Sequence, residues 1–177
     1  MSSLVFACVA PHGSALLPFV SGLSAQASVK AMEELGGRMA DAKPDIIVIM
    51  TPHGLRMEER FCLYDAASLR GRLKGEGEDA AFIASADMGH AHDPGHFYGY
   101  DPASAEFDHF VAERIAAQDL GAIETIDIGW MQRAKTDAYG QLLVLSGLLR
   151  EMPLRGETLS YEVPSYYGML CAAFGNR

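Results

Sequence analysis

Residues 44–54 read PDIIVIMTPHG. Ile46 to Met50 is a continuous apolar run, β-branched at its first four positions, set between Pro44-Asp45 and Thr51-Pro52. A run apolar on both faces predicts a buried strand, since a half-exposed strand would alternate with polar residues. It stops at Pro52, and His53-Gly54 follows. Leu4 to Ala10 (LVFACVA) has the same grammar and runs into Pro11-His12-Gly13. Between the two, Ser24 to Ala40 (SAQASVKAMEELGGRMA) carries apolar residues at helical spacing, with Ser24 as its N-cap and Gly36-Gly37 as a weak point. Strand, helix, strand predicts a βαβ unit with parallel pairing and a right-handed crossover. Both Pro-His-Gly turns then fall on one carboxyl edge, and His12 and His53 become neighbours.

Further along, Asp79 to Ala86 (DAAFIASA) predicts a third buried strand, leading into Asp87-Met88-Gly89-His90 and the polar, aromatic loop AHDPGHFYGYDP. Pro102 to Gln118 predicts a helix, with Pro near its first turn and Phe107, Phe110, Val111 and Ile115 at helical spacing. Ala138 to Leu149 predicts another, with Asp137 as N-cap. Ala122 to Ile128, Tyr161 to Val163 and Met169 to Phe174 read as strands. Arg60 to Tyr64 reads as a further short strand, and Ala66 to Gly77 as a surface loop or short helix. The whole, residues 1–177, is expected to be one α/β domain.

A net charge of −9 with 14 scattered Lys and Arg gives no phosphate-tracking surface, so nucleic acid is not an expected partner. The one basic cluster, Arg70, Arg72 and Lys74, is offset by the acids that follow to Asp79. No apolar run has bilayer length and no basic region precedes the first apolar stretch, so no membrane association and a cytoplasmic location are expected. Cys8, Cys62 and Cys171 lack CxxC spacing, and Cys8 and Cys171 lie in apolar segments where a reduced thiol packs as a small hydrophobe.

In open α/β sheets, ligands gather at the carboxyl ends of strands, which is where His12, His53 and His90 fall. A single turn histidine is usually a local hydrogen-bonding group. The repetition of Pro-His-Gly after two separate strands points to a shared role. Two neutral imidazoles begin a site for iron, zinc or another borderline metal, and a carboxylate would complete a facial triad with open positions. Asp87, Asp93, Asp101, Asp127 and Asp137 are all candidates, and spacing does not choose among them.

The segments APHGS (10–14), PDIIVIMTPHG (44–54), SADMGHAHD (85–93), GYDPASAEFD (99–108), TDAYGQLL (136–143) and YEVPSYYGMLCAAF (161–174) together resemble the class III extradiol ring-cleavage dioxygenases, the LigB-like superfamily that includes the Memo-like proteins. The resemblance implies a three-layer α/β/α fold with a mixed, mainly parallel central sheet. It implies metal ligation by His12 and His53, with Asp137 at the position of the family's third ligand, and His90 as the acid/base. The expected cofactor is Fe(II), with zinc or another divalent metal as the alternative. The expected substrates are a catecholic ring and dioxygen, with Tyr139, His96 and Tyr100 lining the substrate pocket.

Two departures stand out. The family's third ligand is Glu, or Cys in the Memo-like branch, whereas Asp137 is one methylene shorter than Glu. The stretch from about Arg72 to Asp79 replaces a longer middle region that helps wall the pocket in family members. The shortening leaves two alternatives to a dioxygenase: a Memo-like metal-binding protein without ring cleavage, and a non-catalytic partner subunit whose Leu142–Leu149 helix would be exposed. It also favours a homo-oligomer.

Overall fold

The computed structural model describes residues 3–17, 22, 24–53 and 79–175. The strand expected at 60–64, the loop at 66–77, the basic cluster and Cys62 lie outside the described residues. The elements are β1 (Ser3–Ala10), α1 (Gln26–Ala42), β2 (Ile46–Met50), β3 (Asp79–Ser85), α2 (Ala103–Ala116), α3 (Ile128–Ala134), α4 (Tyr139–Glu151), β4 (Arg155–Glu162) and β5 (Met169–Gly175), with 3-10 turns at Ser14–Leu16 and Leu120–Thr125.

The five strands form one mixed sheet in the order β2-β3-β1-β5-β4. β1 and β2 both run parallel to β3, whereas β5 is antiparallel to β1 and to β4. Two parallel and two antiparallel pairings make the sheet mixed, without the parallel majority expected. The crossover through α1 therefore skips a position, and β3 inserts between the strands expected to pair. Because all three strands share one direction, their carboxyl ends still lie on one edge.

Strand position explains burial. β1 is central and buried from Phe6 to Ala10, while β2, for all its apolar character, is an edge strand with Ile47 48% and Ile49 59% exposed. Successive residues of β1 feed two different core clusters. Ala7 and Val9 join Phe82 and Ala84 of β3, Phe107 and Val111 of α2, and Leu142 and Leu145 of α4. Phe6, Cys8 and Ala10 join Ala81 of β3 and Ala31 and Leu35 of α1. Burial pushes the Cys8 thiol up to about 12 and the Cys171 thiol up to about 11, so both behave as the small hydrophobes expected.

Several local expectations give way to tertiary structure. α1 starts after Ala25 without a side-chain cap, so Ser24 is not its N-cap. A carboxylate from β4 does that work, with Glu162 Oε1 accepting from the Ser28 N–H at 2.7 Å. The helix passes through Gly36-Gly37 and stops at Lys43, which adopts the left-handed conformation at φ 49°. Ala122–Ile128 is no strand: Leu120 and Ile123 are buried three residues apart, the spacing of a 3-10 turn, and Asp127 then caps α3 by accepting from Trp130 N–H at 2.8 Å. β4 extends from Arg155, well before the expected Tyr161, and ends at Glu162 as the other edge strand, its largely polar sequence suiting a partly exposed position. No described helix is long and apolar enough to cross a membrane.

Candidate metal centre

Three strand ends supply the centre. β1 leads through Pro11 to His12, β2 through Pro52 to His53, and β3 through Ala86 to Asp87 and His90; Asp137 enters from the turn before α4. His12 Nε2 lies 2.8 Å from His53 Nε2, 3.6 Å from Asp137 Oδ2 and 3.5 Å from Asp87 Oδ2. One ligand atom each from His12, His53 and Asp137 falls within 4.8 Å of the other two. Donors bound at roughly 2.1 Å to one ion sit roughly 3.0–3.4 Å apart, and the His12–His53 and His12–Asp137 separations lie on either side of that spacing. Two borderline imidazole nitrogens and one hard carboxylate also suit a divalent first-row metal.

The donors are braced from behind. His12 Nδ1 lies 3.3 Å from Ser85 Oγ, which turns Nε2 towards the centre. Asp87 accepts the His12 backbone N–H at 3.1 Å, and its own N–H donates to Asp137 Oδ1 at 3.0 Å. Asp137 was expected to cap α4; instead that helix has no side-chain cap, and Asp137 turns to Asp87 and His12. Burial raises the Asp87 carboxyl, against the pull of His12. At His12, burial lowers the imidazole, but contact with Asp137 and the charges of Asp87 and Asp137 outweigh it, and the net shift is upward.

His90 stands across the cleft, its Nε2 3.9 Å from Asp137 Oδ2. Its Nδ1 faces the Met88 carbonyl at 3.0 Å; a carbonyl only accepts, so Nδ1 donates there and Nε2 is the nitrogen turned to the cleft. The segment beneath it is held rigidly. Met88, Gly89, His90, Ala91 and His92 donate their N–H groups in turn to Gly168 O, Asp108 Oδ1, Ala134 O, Ser104 Oγ and Tyr166 O. Gly89 and Gly168 allow this closeness: a Cβ on Gly89 would meet the Ser104 backbone at 2.6 Å, and one on Gly168 would meet Asp108 Oδ2 at 2.0 Å. The glycine after His12 has a similar cause. Its φ of −63° suits any residue, but a Cβ there would strike the Tyr167 ring at 2.2 Å.

The cleft measures about 640 Å³, and His12, His53, Asp87, His90 and Asp137 all line it. Its aromatic wall differs from the expected one. Tyr139 packs partly buried against the larger core cluster, Tyr100 is 63% exposed away from the cleft, and His96 stacks behind Tyr166 with ring centroids 3.5 Å apart. Tyr98, Tyr166 and Tyr167 supply the wall, with Lys135 beside them. The expected loop carries Tyr98 and Tyr100 alike; Tyr98 packs on His90, His96 and Tyr166, whereas Tyr100 pairs with His92 in a backbone bridge. Tyr166 and Tyr167 sit in the β4–β5 turn, whose return to this edge depends on antiparallel pairing that composition does not reveal. Of the other candidate carboxylates, Asp127 caps α3, Asp101 pairs with Arg133, and Asp93 accepts from Gly95 N–H.

No family model matches the chain. Over 85 residues, 48% of its length, the chain is 33% identical to Protein CA_C1420 of Clostridium acetobutylicum. The matched stretch spans 18% of that protein.

Proposed function

We propose that this chain is a non-haem Fe(II)-dependent dioxygenase of the extradiol type, acting on a catecholic ring, within a three-layer LigB-like α/β/α fold. The observation that supports it most is the approach of His12, His53 and Asp137 to one point, with His90 across an aromatic-walled cleft. Helix α1 beside one core cluster, and α2 and α4 beside the other, support the layered reading. His12, His53 and Asp137 would hold the metal, which when bound supplies Lewis acidity and, as iron, access to dioxygen chemistry.

The chain's own groups perform the rest. His90 Nε2, free of the Met88 contact that holds Nδ1, takes the proton of a catechol hydroxyl and returns it later, work suited to an imidazole. Tyr98, whose ring lies 5.6 Å from that of His90, lines the cleft beside a planar substrate, and the buried Tyr167 ring, 5.9 Å from His90, backs that histidine. The five anchored N–H groups from Met88 to His92 keep His90 in place as the proton moves.

Long apolar exposure of Leu142 to Leu149 would have favoured a non-catalytic subunit; Leu142 and Leu145 are fully buried, and Val144 is the one exposed large hydrophobic residue of that stretch. The test is anaerobic reconstitution with ferrous iron, then exposure to oxygen with a panel of catechols, following the yellow ring-fission product. Turnover abolished by His90→Gln, with iron retained, supports the assignment. Stoichiometric iron with no product from any catechol overturns ring cleavage and leaves the Memo-like, metal-binding reading.

A further inference from the structure

A second cleft, of about 560 Å³, opens at the opposite edge of the sheet from the histidines. Arg155 and Phe174 mark this edge, since Arg155 pairs with Gly175, and Gly175 with Phe6 near the amino end of β1. The volume is that of a small-molecule site, and its lining divides into two chemistries. Three guanidiniums, of Arg114, Arg150 and Arg155, border it in a chain whose net charge is −9. Pro153, Leu149 and Leu154 give it an apolar flank.

The cations are unequally engaged. Arg150 is paired with Glu124, which also accepts from Ser146 Oγ at 3.2 Å. Arg114 Nη1 lies 3.5 Å from Asp119, but its Nε is buried and has no hydrogen-bond partner. Arg155 has no carboxylate within ion-pairing distance among the described residues. The Arg114 guanidinium also stands 5.5 Å from the Phe110 ring, which holds it at the cleft. The frame around it is fixed: Gln118 donates to Ile115 O and Gly156 O, and accepts from Gly156 N–H at 2.8 Å, clamping the end of α2 to β4.

The geometry points to a binding site for a small amphiphilic anion, its carboxylate or phosphate head on Arg155 and Arg114 and its alkyl portion against Leu149, Pro153 and Leu154. The head needs the guanidiniums, which bind such oxygens in a bidentate manner, and the tail needs the apolar flank, so neither half alone suffices.

Calorimetric titration of the full chain with octanoate, octyl phosphate, octanol and inorganic phosphate tests this. At least one of the two amphiphilic anions is expected to saturate a single site, and the tighter of them identifies the head group. Octanol and inorganic phosphate are expected to bind at least tenfold more weakly. Arg155→Gln removes an exposed charge, and Gly121→Phe adds bulk where a Cβ meets nothing nearer than 3.9 Å. Each is expected to weaken binding at least tenfold, with metal content at the histidine centre unchanged. No saturable binding of either anion, equal binding of octanol, or affinity unaltered in both variants overturns the site.

Discussion

His12 and His53 approach to 2.8 Å between their Nε2 atoms, although 41 residues and a helix separate them in the chain. Two imidazoles that both point a ring nitrogen at the same place can share one proton or one metal ion. With Asp137 beside them, a metal ion would give three donors a common partner. Replacing either histidine by Ala is expected to abolish stoichiometric binding of ferrous iron or zinc, measured by elemental analysis after gel filtration. Full occupancy in both variants would remove the centre.

Ser85 gives a subtler test. Its hydroxyl meets His12 Nδ1 at 3.3 Å, and a partner behind a ligating imidazole typically contributes roughly 10-fold to 100-fold in metal affinity. Ser85→Ala should therefore weaken competitive metal binding by about that factor while leaving the fold intact. An unchanged affinity would mean that β1 and Pro11 alone orient the ring.

The duplicated Pro-His-Gly was legible in the sequence because strand ends converge in any sheet of parallel β1, β2 and β3, whichever strand lies between. Strand order was not legible. Ile46–Met50 and Leu4–Ala10 have equal apolar character, yet one is an edge and the other the centre, since order is set by where α1 and the β4–β5 hairpin pack. The third carboxylate stayed ambiguous for a similar reason: Asp87, Asp127 and Asp137 all end or begin elements, and only three-dimensional contact separates cap from donor. Tyr98, Tyr166 and Tyr167 were missed because an aromatic in a loop carries no sequence sign of the direction it faces.

Asp108 is buried, yet anchors three donors: Gly89 N–H at 2.7 Å, His92 Nε2 at 2.9 Å and the Tyr161 hydroxyl at 2.9 Å. Asp108→Ala leaves all three without their acceptor and should cost about 3 kcal/mol in chemical denaturation. On the proposed function, catechol turnover should fall as well in whatever protein remains folded, because Gly89 precedes His90. A loss below about 1 kcal/mol would show that water replaces the carboxylate.

The same network predicts an alkaline signature. Burial, then the Asp108 charge and the hydrogen bond to it, raise the Tyr161 phenol above its ordinary value. A folded value above the unfolded one gives stability that is fully present below about pH 10 and lost as pH rises towards the folded value. The stability difference between the protein and its Tyr161→Phe variant should therefore narrow above about pH 10. Urea midpoints taken from neutral to alkaline pH measure it, and a gap that stays constant or widens contradicts the arrangement.

The glycines separate close approach from mere tolerance. Gly37 lies in α1 with open space around a built Cβ, so Gly37→Ala should stabilise the chain by about 0.5–1 kcal/mol, since alanine has less unfolded-chain entropy to lose. At Gly168 the same methyl would stand 2.0 Å from Asp108 Oδ2 and 3.2 Å from Met88 Cβ, two groups that are themselves fully buried. Neither can yield without moving the segment beneath His90. Gly168→Ala should therefore destabilise by about 3 kcal/mol and release the Asp108 network, which thermal melting of the two variants side by side would reveal as shifts of opposite sign. Equal and small shifts would mean that β5 can retreat from the His90 segment, and that the closeness of Gly168 to Asp108 is not what fixes the loop.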